Sequence, residues 1–329
     1  MRKRIMLAMT AAAALTLAAC SGGDAGGGDA GGGSGDGTVD FVTIAAGGTS
    51  GPYYQISATM AQVFADELGA DASPQATGAS VENIELITSD RAELAFTMGD
   101  ATRQAVEGTG PFEGKEGLSD LKALTALYPN FVQIVTTEQS GIESVEDMKG
   151  KRIGVGDQNS GVELNARMIL EAHDMTYDDI DEDYLSYADA IDQMKNGQVD
   201  AAFVTSGLPN ASVLDLVTSH DVKIVPIEGD GMKKLIELYP FFNEDVIPGG
   251  TYDEEEDVPT ASIMNQLLVS PSLSDDQVYE LTKAMFENLD KIHQAHNAAK
   301  NITLDTVEEG LAVDLHPGAK RYYEEQGAL

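Results

Sequence analysis

The chain has 329 residues, 42% of them hydrophobic, and a formal net charge of −35. This length supports two lobes with cores of their own. The charge excludes nucleic-acid binding, which needs clustered Lys and Arg, and disfavours adhesion to anionic lipid. An acidic surface instead suits solubility in saline or alkaline surroundings.

The N-terminus has the pattern of a secretory signal. Three basic residues at 2–4 precede an apolar run at residues 5–18 that is too short to be a good membrane-spanning helix. The run ends in Leu17-Ala-Ala-Cys20, which resembles a bacterial lipobox, and Cys20 is the only cysteine. We therefore expect residues 1–19 to be a lipoprotein signal peptide. Cys20 is expected to carry lipid at the outer face of the bacterial cell membrane, and no intrachain disulfide can form.

A flexible tether and a first strand–loop–helix unit follow. Residues 20–37 are rich in glycine, which predicts a tether to a globular body. An apolar run at residues 41–46 then leads into a glycine-rich turn at residues 47–51 and a helix that begins at Pro52. Free N–H groups and the helix dipole at such a start favour a carboxylate or phosphate, although the glycines alone could simply make a tight turn. The candidate ligand-binding residues here are Gly48, Thr49, Ser50 and Tyr54.

The same succession of strand, polar loop and helix recurs along the chain. Further loops that carry hydroxyl groups and glycine lie at residues 77–80, 157–161 and 205–207, each after an extended run. Ligands of open α/β sheets bind at the carboxyl ends of strands, so these loops predict one shared ligand cleft. The candidates from these loops, from the helix after the second loop and from the turn after the strand at 93–97 are Thr77, Gly78, Ser80, Asn83, Asp100, Asn159, Ser160, Gly161, Thr205 and Ser206.

The alternation of strands and helices predicts an α/β fold with a mainly parallel sheet in each lobe. Two β-prone runs are predicted to cross between the lobes, at residues 131–136 and 260–269. A long amphipathic helix is predicted at residues 274–295, and short helices at 306–311 and 319–325. We expect lobe 1 to comprise residues 38–129 with 270–329, and lobe 2 to comprise residues 130–269.

Motifs for catalysis or metal binding are missing from the sequence. The acidic runs at 178–183 and 253–257 lack the spacing of a calcium loop and are predicted to be solvated surface. His293 and His296 lie three residues apart without an evident third ligand, and neither a phosphate loop nor a nucleophile elbow occurs. We therefore expect a monomeric binding protein without metal or cofactor. The alternatives are a lipoprotein enzyme for a small phosphorylated or carboxylated substrate, and an adhesion or structural lipoprotein.

The order of motifs from residue 38 to the end resembles the TAXI-type solute receptors of TRAP transporters. The resemblance implies a two-lobed type II periplasmic-binding-protein fold that closes on a small anionic solute. It also implies delivery to an integral-membrane TRAP permease that is driven by an ion gradient. The motifs are Gly47-Gly-Thr-Ser-Gly-Pro-Tyr-Tyr54, Thr77-Gly-Ala-Ser-Val-Glu-Asn83, Asp200-Ala-Ala-Phe-Val204, Tyr239-Pro-Phe-Phe242, Ile247-Pro-Gly-Gly-Thr-Tyr252 and Leu315-His-Pro-Gly-Ala-Lys-Arg-Tyr-Tyr323.

The resemblance suggests glutamate, glutamine or C4/C5 dicarboxylates such as 2-oxoglutarate as ligands. Two departures make the expected cleft less polar: Met98-Gly99-Asp100 stands where relatives often have Gln-Ser-Asp, and Val162 replaces a hydroxyl residue. The four loops carry no Arg or Lys, and Arg103 is the nearest basic residue in sequence. A carboxylate would therefore be held mainly by backbone N–H groups and hydroxyls. Of the two adjacent tyrosines, we expect Tyr54 to face the ligand.

Overall fold

Strands and helices alternate along most of the chain. The structure, a computed structural model, describes residues 37–115 and 118–329. The predicted signal peptide, Cys20 and tether residues 20–36 lie outside the described residues. Within the part described, no helix combines the length and apolar character that crossing a membrane requires.

The strands join into one sheet, and the helices pack against it. The strands are β1 (Phe41–Ala45), β2 (Asp71–Gln75), β3 (Leu94–Met98), β4 (Lys122–Thr137), β5 (Arg152–Gly154), β6 (Asp181–Asp183), β7 (Ala201–Ser206), β8 (Val222–Val225), β9 (Asn243–Ile247) and β10 (Val258–Val269). The helices are α1 (Pro52–Leu68), α2 (Ser80–Thr88), α3 (Gly99–Glu107), α4 (Gly161–Ala172), α5 (Tyr187–Lys195), α6 (Ala211–Val217), α7 (Gly229–Leu238), α8 (Asp275–Glu287), α9 (Leu289–His293) and α10 (Pro317–Gln326).

The sheet has two parallel groups of strands separated by antiparallel strands. Its order is β2-β1-β3-β10-β4-β7-β5-β6, with β8 also paired to β4 and β9 to β10. β1 is parallel to β2 and β3, and β5 is parallel to β6 and β7. The predicted α/β class, with parallel pairing in both parts of the sheet, is confirmed.

The long strands β4 and β10 connect the two parallel groups. Residues 122–131 of β4 pair with β10, and residues 131–137 pair with β7 and β8. The sequence predicted only residues 131–136 of this strand. Pro129 lies inside β4, opposite Met264, beside a register shift between Met264 and Gln266. Irregular positions of this kind tolerate a residue that lacks an N–H group.

Helix α1 follows its sequence pattern closely. Its predicted stripe is buried, and Pro52 occupies the first turn. Gly69 ends the helix in the left-handed region, at φ 71°, where glycine avoids the strain that a side chain would add. The buried stripe consists of Tyr53, Ile56, Met60, Val63 and Phe64.

Several other predicted elements need correction. The helix predicted at 274–295 is broken at Asn288 into α8 and α9, and a 3-10 turn at Leu304–Thr306 stands near the helix predicted at 306–311. The acidic run at 178–183 contains the edge strand β6, whose charged side chains suit an edge that must not pair further. The prediction had no counterparts for α7, β8 and β9.

Candidate functional site

A cavity of about 50 Å³ lies where the two parallel groups of strands end. Its wall contains residues that follow β1, β2, β5 and β6, together with the last residues of β3 and β7. We call it the central cavity. Its lining comprises Gly47, Gly48, Ser50, Gly51, Pro52, Tyr53, Gly78, Ala79, Met98, Asn130, Asp157, Ser160, Val162, Leu185, Ser186, Tyr187, Thr205 and Ser206.

Five helices begin at the wall of the central cavity. They are α1, α2, α3, α4 and α5, whose N-cap residues Gly51, Ala79, Met98, Ser160 and Ser186 all line it. The first three have no side-chain cap from their N-cap residues, and in α1 and α2 this leaves more of the first-turn N–H groups for another acceptor, whereas the Asp100 carboxylate accepts from first-turn N–H groups of α3. Each start also carries partial positive charge, and the convergence therefore favours an anionic group in the cavity.

Two serines cap their own helices at this wall. Ser160 Oγ accepts a hydrogen bond from Glu163 N at 3.1 Å, and Ser186 Oγ accepts one from Asp189 N at 3.2 Å. The Ser186 hydroxyl donates in turn to the Asp189 carboxylate at 2.6 Å. The hydroxyl hydrogen of Ser160 stays available for a ligand, because Ser160 Oγ acts only as an acceptor in the helix cap.

Two tyrosine rings, those of Tyr53 and Tyr187, line the central cavity. Tyr53 donates from its hydroxyl to Asn265 Oδ1 at 2.5 Å, and its ring packs 5.0 Å from that of Phe96. Tyr187 donates to the carbonyl of Thr205 at 2.7 Å. Burial raises the pKa of both tyrosines, so both remain neutral hydrogen-bond donors. These bonds fix the rings as rigid walls.

Three polar groups in the lining have no partner. Asn130 is 2% exposed and Thr205 is 1% exposed, yet Asn130 Oδ1 and Thr205 Oγ1 have no hydrogen bond. Within the described residues no hydrogen bond or ion pair reaches the carboxylate of Asp157 either. Burial, followed by the charges of Asp189 and Glu82, raises the pKa of Asp157. Buried polar groups normally find partners, which marks Asn130 and Thr205 as positions for a ligand, and the half-buried carboxylate of Asp157 lines the same cavity.

The structure brings six of the predicted ligand-binding residues to the central cavity: Gly48, Ser50, Gly78, Ser160, Thr205 and Ser206. The other predicted positions lie outside its lining: Thr49, Tyr54, Thr77, Ser80, Asn83, Asp100, Asn159 and Gly161.

Several of the residues outside the lining are held by the scaffold. Asn83 Nδ2 donates to the carbonyls of Ala46 and Phe96, and Thr77 Oγ1 donates to Asn83 Oδ1. Ser80 Oγ accepts from Met98 N at 3.1 Å. These side chains tie the start of α2 to β1 and β3, so their polar atoms hold the loops in position.

Of the two adjacent tyrosines, the one expected to face the ligand, Tyr54, does not line the central cavity. Tyr53 lines the central cavity, whereas Tyr54 is half-buried and packs against the hydrophobic core. Arg103, the basic residue named from the sequence, lies in a separate groove and forms an exposed ion pair with Glu107 at 3.5 Å. Among the described residues, no Lys, Arg or His lines the central cavity.

Sequence reasoning missed Asn130, Ser186 and Tyr187. The predicted strand began at residue 131, so it left out Asn130, which lies within β4. Ser186 is a potential N-cap directly before a predicted amphipathic helix, so the signal for the α5 start was present. The short, acidic strand β6 before it concealed that this helix, too, starts at a strand end.

The fold and the sequence of the chain both resemble those of known proteins. The fold is similar to that of PhnD1 from Prochlorococcus marinus, solved in complex with methylphosphonate, with a TM-score of 0.55 and 11% identity over 88% of this chain and 99% of that one. A protein from Bordetella bronchiseptica RB50 is also similar, with a TM-score of 0.51 and 20% identity over 88% and 81% of the two chains. These matches confirm the predicted type II periplasmic-binding-protein fold. Residues 44–327 match the model of the NMT1-like family, and the chain therefore belongs to that family.

Proposed function

We propose that the protein is an extracytoplasmic solute-binding protein that holds a small molecule with an acidic group in the central cavity. One observation carries the proposal: five helices start around a single small cavity, and two of these starts, those of α1 and α2, have no side-chain cap. Uncapped N–H groups bind a carboxylate or phosphonate without needing a basic side chain. This arrangement suits binding rather than turnover, because the lining serine that is bonded to a carboxylate, Ser186 with Asp189, serves as the cap of α5.

The size of the central cavity favours a compact solute. Its volume of about 50 Å³ is room for only a few non-hydrogen atoms unless the walls move apart. Rigid rings from Tyr53 and Tyr187 would cover the apolar part of the solute, while N–H groups at the helix starts would hold its acidic part. Amino acids and C4/C5 dicarboxylates such as glutamate and 2-oxoglutarate remain the first compounds to test, with methylphosphonate as a smaller comparison.

Calorimetric titration of the purified protein with these compounds tests the proposal. Ser160→Ala removes a hydroxyl from the cavity wall and a helix cap worth about 1 kcal/mol, and it should weaken binding about tenfold. Ser274→Ala is the matched control because Ser274 caps α8 away from the cavity, so it should cost similar stability and leave affinity unchanged. Turnover of a compound would instead indicate an enzyme. A folded protein that binds no compound would favour an adhesion or structural role.

We further propose delivery of the solute to a TRAP permease by a receptor that is lipid-anchored through Cys20. The TAXI-like motifs and the lipobox-like Leu17-Ala-Ala-Cys20 support this narrower assignment. In membrane vesicles that contain the permease and no ATP, an imposed sodium gradient should drive solute uptake only after the receptor is added. Uptake that needs ATP hydrolysis would contradict the assignment and indicate an ABC-type transporter.

A further inference from the structure

The central cavity has acceptors as well as donors on its wall. Asp157 is the only charged residue in its lining, and the described residues place no basic side chain there to neutralise it. A simple dicarboxylate would bring two more negative charges to this site. Helix starts can hold one acidic group, but they do not offset the repulsion between a second one and Asp157.

The carboxylate of Asp157 stands apart from its acidic neighbours because it has no partner. Glu82 accepts a hydrogen bond from Gly78 N at 2.6 Å, and Asp189 accepts one from the Ser186 hydroxyl at 2.6 Å. No comparable bond reaches Asp157 from any described residue. The negative charges of Asp189 and Glu82 add to the burial of Asp157, and together they raise its pKa. A cation beside Asp157 would relieve this cost.

A second, independent observation is the buried amide of Asn130. Its Oδ1 atom lacks a partner although the residue is 2% exposed, and the residue lines the same cavity as Asp157. Thr205 Oγ1 is the other buried atom of the lining without a partner. An unpaired buried acceptor is costly, so the bound solute must present hydrogen-bond donors.

We propose that Asp157 and Asn130 form a subsite for a protonated amine, so that the solute is a compact amino acid or a similar zwitterion. The inference rests on the proposed function, because the acidic group of the same molecule occupies the helix starts. An ammonium group supplies the three donors and the positive charge that Asp157, Asn130 and Thr205 lack. A dicarboxylate without an amine leaves all three unsatisfied.

Matched sets of compounds test this assignment by calorimetry on the purified protein. One set is alanine, lactate and propionate, and another is glutamate, 2-oxoglutarate and glutarate. The amine-bearing member of the set that binds should be preferred by at least about tenfold, because a site built for a donor rejects analogues that lack it. Asp157→Asn should abolish that preference. Asp192→Asn removes the same charge from an exposed position on α5 and should retain it.

The affinities of the wild-type protein for the matched compounds test the amine subsite even if a variant folds poorly. Equal or tighter binding of the deaminated compounds would overturn the amine subsite and leave the solute-binding function standing. A preference that survives Asp157→Asn, or binding that vanishes when divalent cations are chelated, would also overturn it. Failure of every compound to bind would remove the solute-binding function itself, and the subsite with it.

Discussion

Asp100 is an acidic side chain that lies behind the wall of the central cavity. It is fully buried in the first turn of α3, and its Oδ2 atom accepts a hydrogen bond from Asn165 Nδ2 at 2.6 Å. Its other oxygen, Oδ1, has no partner. Burial raises its pKa from about 3.8 to about 7 and outweighs the hydrogen bonds that lower it. Near neutral pH this one residue therefore changes its charge inside the protein.

The raised pKa of Asp100 predicts a pH-dependent cost to folding. Between about pH 4 and pH 7 the unfolded chain loses this proton while the folded chain keeps it, so stability falls as pH rises. Once the pH is above both pKa values, this difference lowers the free energy of unfolding by roughly 4 kcal/mol. Asp100→Asn keeps an acceptor for Asn165 and should gain stability over the wild type as pH increases from 4 to 8.

Urea unfolding at several pH values measures this difference. Asp192→Asn, an exposed position, controls for the change in net charge. If the free energies of unfolding of the Asp100 variant and the wild type differ by a constant amount from pH 4 to pH 8, burial does not raise the pKa of this carboxyl.

Individual residues show how far sequence can identify a site. Glycine and hydroxyl residues at strand ends led to Ser50, Ser160 and Ser206, which line the central cavity. The same pattern also selected Thr77 and Asn83, whose polar atoms bond to each other and to the scaffold. A sequence shows that a side chain can form hydrogen bonds, but the partner depends on contacts with distant strands.

At the level of elements, the start of α4 approaches α2 and β3 so closely that only glycine fits. A Cβ atom on Gly161 would lie 2.7 Å from Ser80 Oγ and 3.0 Å from the sulfur of Met98. Gly161→Ala should therefore separate these elements, cost about 1–3 kcal/mol of stability and weaken solute binding. Gly48→Ala is the matched control for stability, because its Cβ atom would meet nothing within 4 Å.

Chemical denaturation and calorimetry of the two glycine variants test this packing. If Gly161→Ala is as stable as Gly48→Ala and binds solute like the wild type, the close approach of α4 to α2 and β3 does not matter.

Elements with a clear hydrophobic period were predictable, and those with a weak one were not. The apolar stripe of α1 predicted which of its faces is buried, and β1 and β7 are apolar strands that lead directly into polar loops. β6 consists entirely of acidic residues at an edge, so no apolar pattern signals it. The break between α8 and α9 at Asn288 escaped prediction because the amphipathic pattern continues through it.

The whole molecule places both parallel groups of strands around one cavity. β4 and β10 pass through the middle of the sheet and pair with neighbours on both sides. The lobe boundaries predicted at residues 130 and 270 fall within β4 and directly after β10, so the two connections are strands over much of their length. We propose that these strands carry the closing motion, while the five helix starts meet the solute.

Hydrogen exchange with and without a solute that binds in the titrations tests this central claim most directly. We expect slower amide exchange at the five helix starts together, in residues 51–54, 79–82, 98–101, 160–163 and 186–189. Exchange in α10, none of whose residues line the central cavity, should stay unchanged and serves as the internal control. Saturating binding without added protection at these starts, or with protection confined to one parallel group of strands, would contradict a site shared between them.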